Sequence, residues 1–427
     1  MTEQPVIVQK ISWINLCPWI LIFKTFSVAS GTGVLAFALL GVVLSPLGWI
    51  LSENVFLEDV RDRDPKLIEI VETNGSPYRG VFAPTSSADS VSLEISGVAL
   101  AGPQLVFRQI EKPFEYVFSS DTSMREFAYF AFGGILTVLV WSFAGLAIAR
   151  ISLLRLTRNE RVGIDDAFGF AISNWRTTVG AIGIPLLAVL FLCVPGALIG
   201  LLMNFDFGIF VAAGLWLFVL LFGGLAALLL LGLMFGWPLM VASVGCEGQN
   251  AFDAMTRGYA YTFQRPFHYA FYALVAMLVG SLAWLVIGGL TQGVVDMSGW
   301  SSSWGANISS SNRFEQIIDG VDVSGEELSR WRQSGHSMIH FFNSILKTLA
   351  AAFLYGLFWC MASAIYLVLR YDVDETEMDE IFLVDEKRTY QLPPLKADTN
   401  GIPQVQKSAP AEGVESSPKE SPPSESD

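Results

Sequence analysis

Six stretches of the chain are apolar for about 20 residues or more: 32–52, 127–149, 179–203, 208–236, 269–291 and 343–369. At about 1.5 Å per residue such a helix crosses a hydrocarbon core of about 30 Å, and it pairs every backbone group internally where water is absent. The pattern predicts an all-α transmembrane protein, a six-helix polytopic bundle with interfacial helices. The fourth stretch runs on to Met240, so a tilted span followed by a surface turn at Gly236-Trp237-Pro238 is expected. Within the N-terminal segment 1–31, residues 11–30 are either a seventh span or a surface helix. Trp13, Trp19 and Lys24, with Pro18 in the middle, favour the interface.

Basic residues in short connections set the orientation. The 150–178 connection carries Arg150, Arg155, Arg158, Arg161 and Arg176, the 237–268 connection carries Arg257 and Arg265, and the link between the third and fourth spans carries none. Both termini and both basic connections are therefore expected in the cytoplasm, with 53–126 and 292–342 on the other side. In 53–126, the alternation from Ser90 to Ile95 and the runs Val98 to Leu100 and Leu105 to Phe107 predict short strands, hence a small β-containing extracytoplasmic insertion. Segment 292–342 opens as a Gly/Ser/Trp-rich loop and reads as a helix near Gly325 to Phe342. The tail, 370–427, becomes rich in Pro, Ser, Glu and Lys and is expected to be disordered from about residue 390. Met1 to Lys10 includes Glu3 and lacks the basic lead of a cleavable signal, so the first span is expected to remain in the mature chain.

Composition agrees: 52% of residues are hydrophobic and 15% charged, against about 25% charged in soluble domains. The net charge of −14 comes from the appendages, with −9 in 371–427 and −6 in 53–126, while the apolar core and its short connections are mildly basic. Nucleic acid is excluded as a partner by the lack of a clustered basic face. Cys17, Cys193, Cys246 and Cys360 all lie in or beside apolar stretches, which leaves no disulfide framework or CxxC site.

The two cytoplasmic connections echo one another. Asp166-Ala167-Phe168 is followed by Trp175, and Asn250-Ala251-Phe252 by Tyr259, each aromatic eight residues after its alanine. Each predicts an N-capped amphipathic helix under the membrane, burying Phe168 or Phe252 against the bundle floor and feeding the next span. This is shared architecture or the trace of a pseudo-symmetric transporter. Gly232 to Met240 (GLMFGWPLM), Glu247-Gly248, Ala251 to Tyr261 (AFDAMTRGYAY), Arg265-Pro266 and Tyr269 together resemble an uncharacterised family of bacterial multi-spanning inner-membrane proteins. The Pro18-Trp19, Gly48-Trp49 and Ala149-Arg150-Ile151 positions fit the same pattern, so the resemblance covers most of residues 11–385. Glu-Gly ahead of an aromatic-rich surface helix is more distantly similar to the membrane domain of some glycerophosphodiester phosphodiesterases and related six-span domains. The resemblance implies a bacterial cytoplasmic-membrane protein and no known reaction.

No ionisable residue lies at mid-depth in the six stretches, which argues against an ion-coupled transporter. Lys347, one turn into the last span, is expected to snorkel to the surface. His336 and His340 share a helical face without an HExxH glutamate, so no metal site and no cofactor are expected. Asp253 and Arg257, at i and i+4, are expected to pair. Phosphate-loop, nucleophile-elbow and redox motifs are missing, so no catalytic residue is assigned. The candidate site residues are Arg150, Arg155, Arg158, Arg161, Arg257 and Arg265, as contacts for anionic lipid headgroups. The expected partners are membrane lipids and an envelope or membrane protein bound through 53–126 or the tail. The function expected first is a non-enzymatic envelope scaffold or assembly factor. A carrier or permeation protein for a lipid or other apolar solute comes second, and a membrane enzyme acting on lipid headgroups third.

Overall fold

The computed structural model describes residues 17–57, 65–82, 94–95, 98–99, 102–118, 122–308, 313–319, 330–378, 380–382, 396–397 and 403–404. After a helical turn at Pro18–Ile20, the first half of the chain forms α1 (Leu21–Ala29), α2 (Thr32–Phe56), α3 (Pro65–Asn74), α4 (Arg79–Phe82), α5 (Gly102–Val117), α6 (Met124–Thr157) and α7 (Ile164–Leu202). The second half forms α8 (Asp206–Gly214), α9 (Trp216–Glu247), α10 (Ala251–Gln264), α11 (Pro266–Ala306), α12 (Arg313–Asp319) and α13 (Arg330–Asp374). Six of these, α2, α6, α7, α9, α11 and α13, are long and apolar enough to cross a membrane. The protein is a helical bundle with the make-up of a multi-pass membrane protein.

Local chemistry sets the helix ends. A capping box opens α6, with the Glu126 amide donating to Ser123 Oγ at 3.3 Å and the Ser123 amide to Glu126 Oε2 at 2.9 Å. Helix α9 stops at Gly248, whose φ of 59° is the left-handed conformation that glycine adopts without a Cβ clash. Asn250 then caps α10 through the Asp253 amide (2.9 Å), and Pro266 opens α11, where its missing N–H costs nothing.

Helix α13 is the axis of the bundle. Its apolar window is entirely buried, whereas those of α7 and α9 are 17% and 11% buried. Aromatic rings fill the layer around it. Trp141 of α6 stacks on Tyr355 at 4.7 Å, and Trp237 of α9 meets Phe358 at 5.7 Å and Trp359 at 5.5 Å. Glycines make room for these rings: a Cβ on Gly145 would sit 2.5 Å from Trp359, one on Gly41 2.7 Å from Trp141, and one on Gly133 would overlap Trp49. Gly232 and Gly236 likewise let α10 lie against α9, where a Cβ on Gly232 would overlap the Tyr259 ring and Tyr259 donates to Leu229 O at 2.7 Å.

The 53–126 insertion departs from expectation. Its described part is mostly helical, with one short hairpin in which β1 (Glu94–Ile95) pairs antiparallel with β2 (Val98–Ala99). The strand expected at Leu105 to Phe107 is part of α5, because Pro103, Val106, Ile110 and Pro113 recur at three- and four-residue spacing and form its buried stripe. Helix α5 lies between α6, α11 and α13 in the body of the bundle. A Cβ on Gly280 of α11 would overlap the Pro103 ring, one on Gly102 would sit 2.5 Å from the Ser281 amide, and Tyr355 donates to Gln109 Oε1 at 2.9 Å.

Three further expectations are corrected. The Gly236-Trp237-Pro238 turn is continuous helix inside α9, buried on all three residues, since neighbouring helices compensate for the proline. The paired surface helices are unequal: the first is fused to its span as α7, capped at Gly163 rather than Asp166, and the stretch just after Trp175 has no counterpart of the Arg265-Pro266 break that follows Tyr259. Phe168 and Phe252 are exposed, and Ala167, Phe170, Ala254 and Tyr261 are the buried residues instead. Residues 11–16 lie outside the described part, and α1, nine residues and about 13 Å long, is too short to span. Of the tail beyond Phe382, β3 (Lys396–Ala397) paired with β4 (Pro403–Gln404) is described, in a unit (Phe382–Asp427) separate from Met1–Ile381. The disorder expected from about residue 390 otherwise concerns residues outside the described part.

Gly280→Val forces a branched side chain into the Pro103 ring, and overpacking of this kind costs about 1–3 kcal/mol. The melting temperature of the purified chain is expected to fall, whereas Gly289→Val, which faces open space, is expected to leave it unchanged.

Candidate functional site

Two cavities flank α5. The first, about 370 Å³, is walled by Ile110, Glu111 and Phe114 of α5, Trp141 and Ser142 of α6, Trp237 of α9 and Trp359 of α13. The second, about 600 Å³, lies beside Pro103 and Phe107 and is closed by Phe235, Tyr269, Met277 and Phe358. Between them Phe107 stacks on Trp237 at 6.0 Å. Both open sideways, past exposed Leu231 and Met234 in the first and Leu274 and Met277 in the second. Trp237 precedes Glu247 by ten residues, so the partition sits about 15 Å along α9 from the end that carries Glu247.

Almost all the cavity lining is apolar, which makes its few polar groups informative. Glu111 and Glu115, one turn apart on α5, both reach the first cavity. Burial, and secondarily the Glu115 carboxylate, push the Glu111 carboxyl up to about 7; Glu111 lies outside the six spans. Ser142 and Trp359, each 1% exposed, line the same cavity, and neither Ser142 Oγ nor Trp359 Nε1 has a hydrogen-bond partner.

A second cluster closes the end of the bundle where α9, α10 and α13 meet. Glu247 Oε1 lies 2.5 Å from Arg257 Nη1 and 3.2 Å from Arg370 Nε, and it accepts from Tyr366 at 3.0 Å. Asp374 Oδ2 accepts from Tyr261 at 2.5 Å and lies 3.3 Å from Arg257. Burial opposes the Arg257 charge, but Tyr366, Glu247 and Tyr261 more than offset it and hold the guanidinium above its ordinary value. Burial, then Asp374, raises the Tyr261 hydroxyl. The network ties the ends of α9, α10 and α13 together as a brace.

The candidate arginines do not form one patch. Arg150 is buried, donates to Gly245 O at 3.0 Å and lies over the Phe170 ring, and Arg257 belongs to the brace. Arg155 and Arg158 are half-buried, while Arg161 and Arg265 are exposed. Arg257 reaches Glu247 and Asp374 instead of Asp253, which bonds Asn250 at 2.8 Å. Lys347 does not snorkel but lies over the Tyr78 and Phe82 rings of the insertion, at 6.0 and 5.7 Å. His336 Nδ1 and His340 Nε2 stand 2.9 and 3.0 Å from the carbonyls of Ile317 and Ile318, where they cap α12. No group of three or more metal-ligating side chains is found among the described residues. The Glu111 cavity escaped sequence reasoning because α5 is amphipathic rather than apolar; its pairing of Pro103 with a buried three-to-four spacing was the available signal.

No protein-family model, curated protein or solved structure matches the chain. The likeness to bacterial multi-spanning proteins therefore rests on the motifs themselves.

Glu247→Ala removes the carboxylate partner of buried Arg370 and one of the two of Arg257. The expected loss is about 3 kcal/mol, the lower end for breaking a buried pair, against about 1 kcal/mol or less for Asp374→Ala at the more exposed pair. Melting curves of the two variants in one detergent check the order.

Proposed function

We propose that the protein is a carrier or permeation protein for a lipid or other apolar solute. The observation that carries this reading is the pair of laterally open, aromatic-walled cavities on either side of α5, between the spans. Ligand cavities of about 300–1,000 Å³ with mostly apolar walls and a few placed polar groups suit a small amphipathic molecule. Lateral openings admit a solute that arrives from the bilayer. The scaffold expectation named 53–126 as an interaction surface, and in this segment α5 turns its apolar stripe onto its own bundle.

The orientation that fits the basic connections has both termini in the cytoplasm of a bacterium, with the protein in its inner membrane. Exposed Arg161 and Arg265, with Arg155 and Arg158, would then face anionic headgroups on the cytoplasmic side, each contributing about 1 kcal/mol. No catalytic chemistry is assigned.

The test uses proteoliposomes holding a fluorescent phosphatidylcholine. Ala227→Trp and Ala273→Phe place bulk in the first and second cavities. Transbilayer movement of the lipid, or its retention on the purified chain by native mass spectrometry, is expected to fall severalfold in the filled variants. Equal movement and retention in both would contradict the reading.

A further inference from the structure

The geometry points to Glu111 as the anchor for the protonated amine of an amphipathic ligand seated in the first cavity. This rests on the carrier reading and names the substrate class of the same site: a lipophilic amine with an apolar tail.

Four features of the cavity fit that chemistry. Its ionisable groups are two carboxylates, of which Glu111 is half-buried and Glu115 exposed, and no hydrogen bond or ion pair ties Glu111 among the described residues. Rings of Trp141, Trp237, Trp359 and Phe114 share the wall with it, and an ammonium near such faces gains from the ring quadrupole once it leaves water. Ser142 Oγ and Trp359 Nε1, both unpartnered and buried, offer a hydroxyl and an N–H donor to the polar end of a ligand. Leu186, Leu230 and Leu231 continue the wall toward the lateral opening, where an alkyl tail would lie.

The charged surroundings of Glu111 are few. On α5 itself Arg108 and Glu115 are exposed and Lys112 is half-buried. The walls contributed by α6, α7, α9 and α13 hold no ionisable carboxylate or base, and from α11 the Tyr269 phenol is the group that feels Glu111. Burial favours the neutral acid in the empty cavity, so a bound ammonium restores the carboxylate. Ligand and proton therefore compete for Glu111. Amine binding is expected to strengthen as pH rises through about 7, while an alkylamine, at about 10.4 like a lysine, keeps its charge over that window.

The experiment places the full chain in phosphatidylcholine nanodiscs and follows tryptophan quenching by 11-bromoundecylamine and 11-bromoundecanol, which share a tail and a quencher. At pH 8.5 the amine is expected to half-saturate at about tenfold lower concentration than the alcohol. Glu111→Gln is expected to raise the amine value to that of the alcohol and leave the alcohol unchanged. Glu115→Gln is expected to shift the amine less than about threefold, since its exposed carboxylate is screened. Should Glu111→Gln fail to fold, the unsubstituted chain still decides: its amine preference must vanish at pH 5.5. Saturable quenching by both compounds without an amine preference overturns the assignment to Glu111 and leaves the carrier reading standing. A preference that survives in Glu111→Gln, or at pH 5.5, overturns it equally. Quenching that saturates for neither compound, and matches that of Ala227→Trp, removes the cavity reading as well.

Discussion

Pro103 sits against Gly280, and that contact fixes where α5 lies. With no Cβ at 280, the ring of a helix that is neither apolar enough nor long enough to span can reach the backbone of α11 inside the bundle. Tyr355 holds the next turn through Gln109, Phe107 meets Trp237, and Tyr116 stacks on Phe130 nearer the end of α6 that carries the capping box. Were α5 to lie outside the bundle, the two cavities would merge into one open cleft and Glu111 would face water.

The brace at the other end serves the same geometry. Trp237 and Trp359 stand ten and eleven residues before Glu247 and Arg370 on their helices, so the Glu247–Arg370 pair sets the register in which the two rings meet at 5.5 Å. The acidic run after Arg370 is drawn into this brace through Asp374, and Asp372 accepts from Tyr272 at 2.6 Å. Among the buried polar groups without a hydrogen-bond partner, the Ser142 hydroxyl and the Trp359 indole N–H line the same apolar cavity as the Glu111 carboxyl. Desolvated polar groups without partners are costly in a folded chain, and a site that binds a polar ligand is a common reason for keeping them.

How much of this was readable follows from physical scale. Twenty apolar residues leave an unmistakable signature, so the six long helices and the α1 segment were legible, and so was the Asn250 cap, whereas the stop at Gly248 was not read. The proline signals were ambiguous. Pro266 does break a helix, Pro238 does not, and only the packing of Trp237 against Phe107 and Phe358 distinguishes them. The Leu105 to Phe107 run fits a strand or a helix equally over three residues, and the four-residue step to Ile110 decides it. Arg257 chose Glu247 and Asp374 over its helical neighbour Asp253 because the fold brings α9 and α13 beside it, which no local spacing reveals. The Glu111 site was hidden for the same reason: a charged amphipathic segment is read as solvent-facing until its buried face is seen to meet the spans.

The account stands on Glu111 lying at bilayer depth in the body of the bundle. A nitroxide attached at Glu111→Cys in native-composition vesicles, read by its collisions with oxygen and with a water-soluble nickel chelate, measures this directly. Strong preference for oxygen is predicted at 111, with the reverse at Met124→Cys, whose side chain is 82% exposed at the start of α6. Chelate access at 111 equal to that at 124 would place α5 in water and contradict the account.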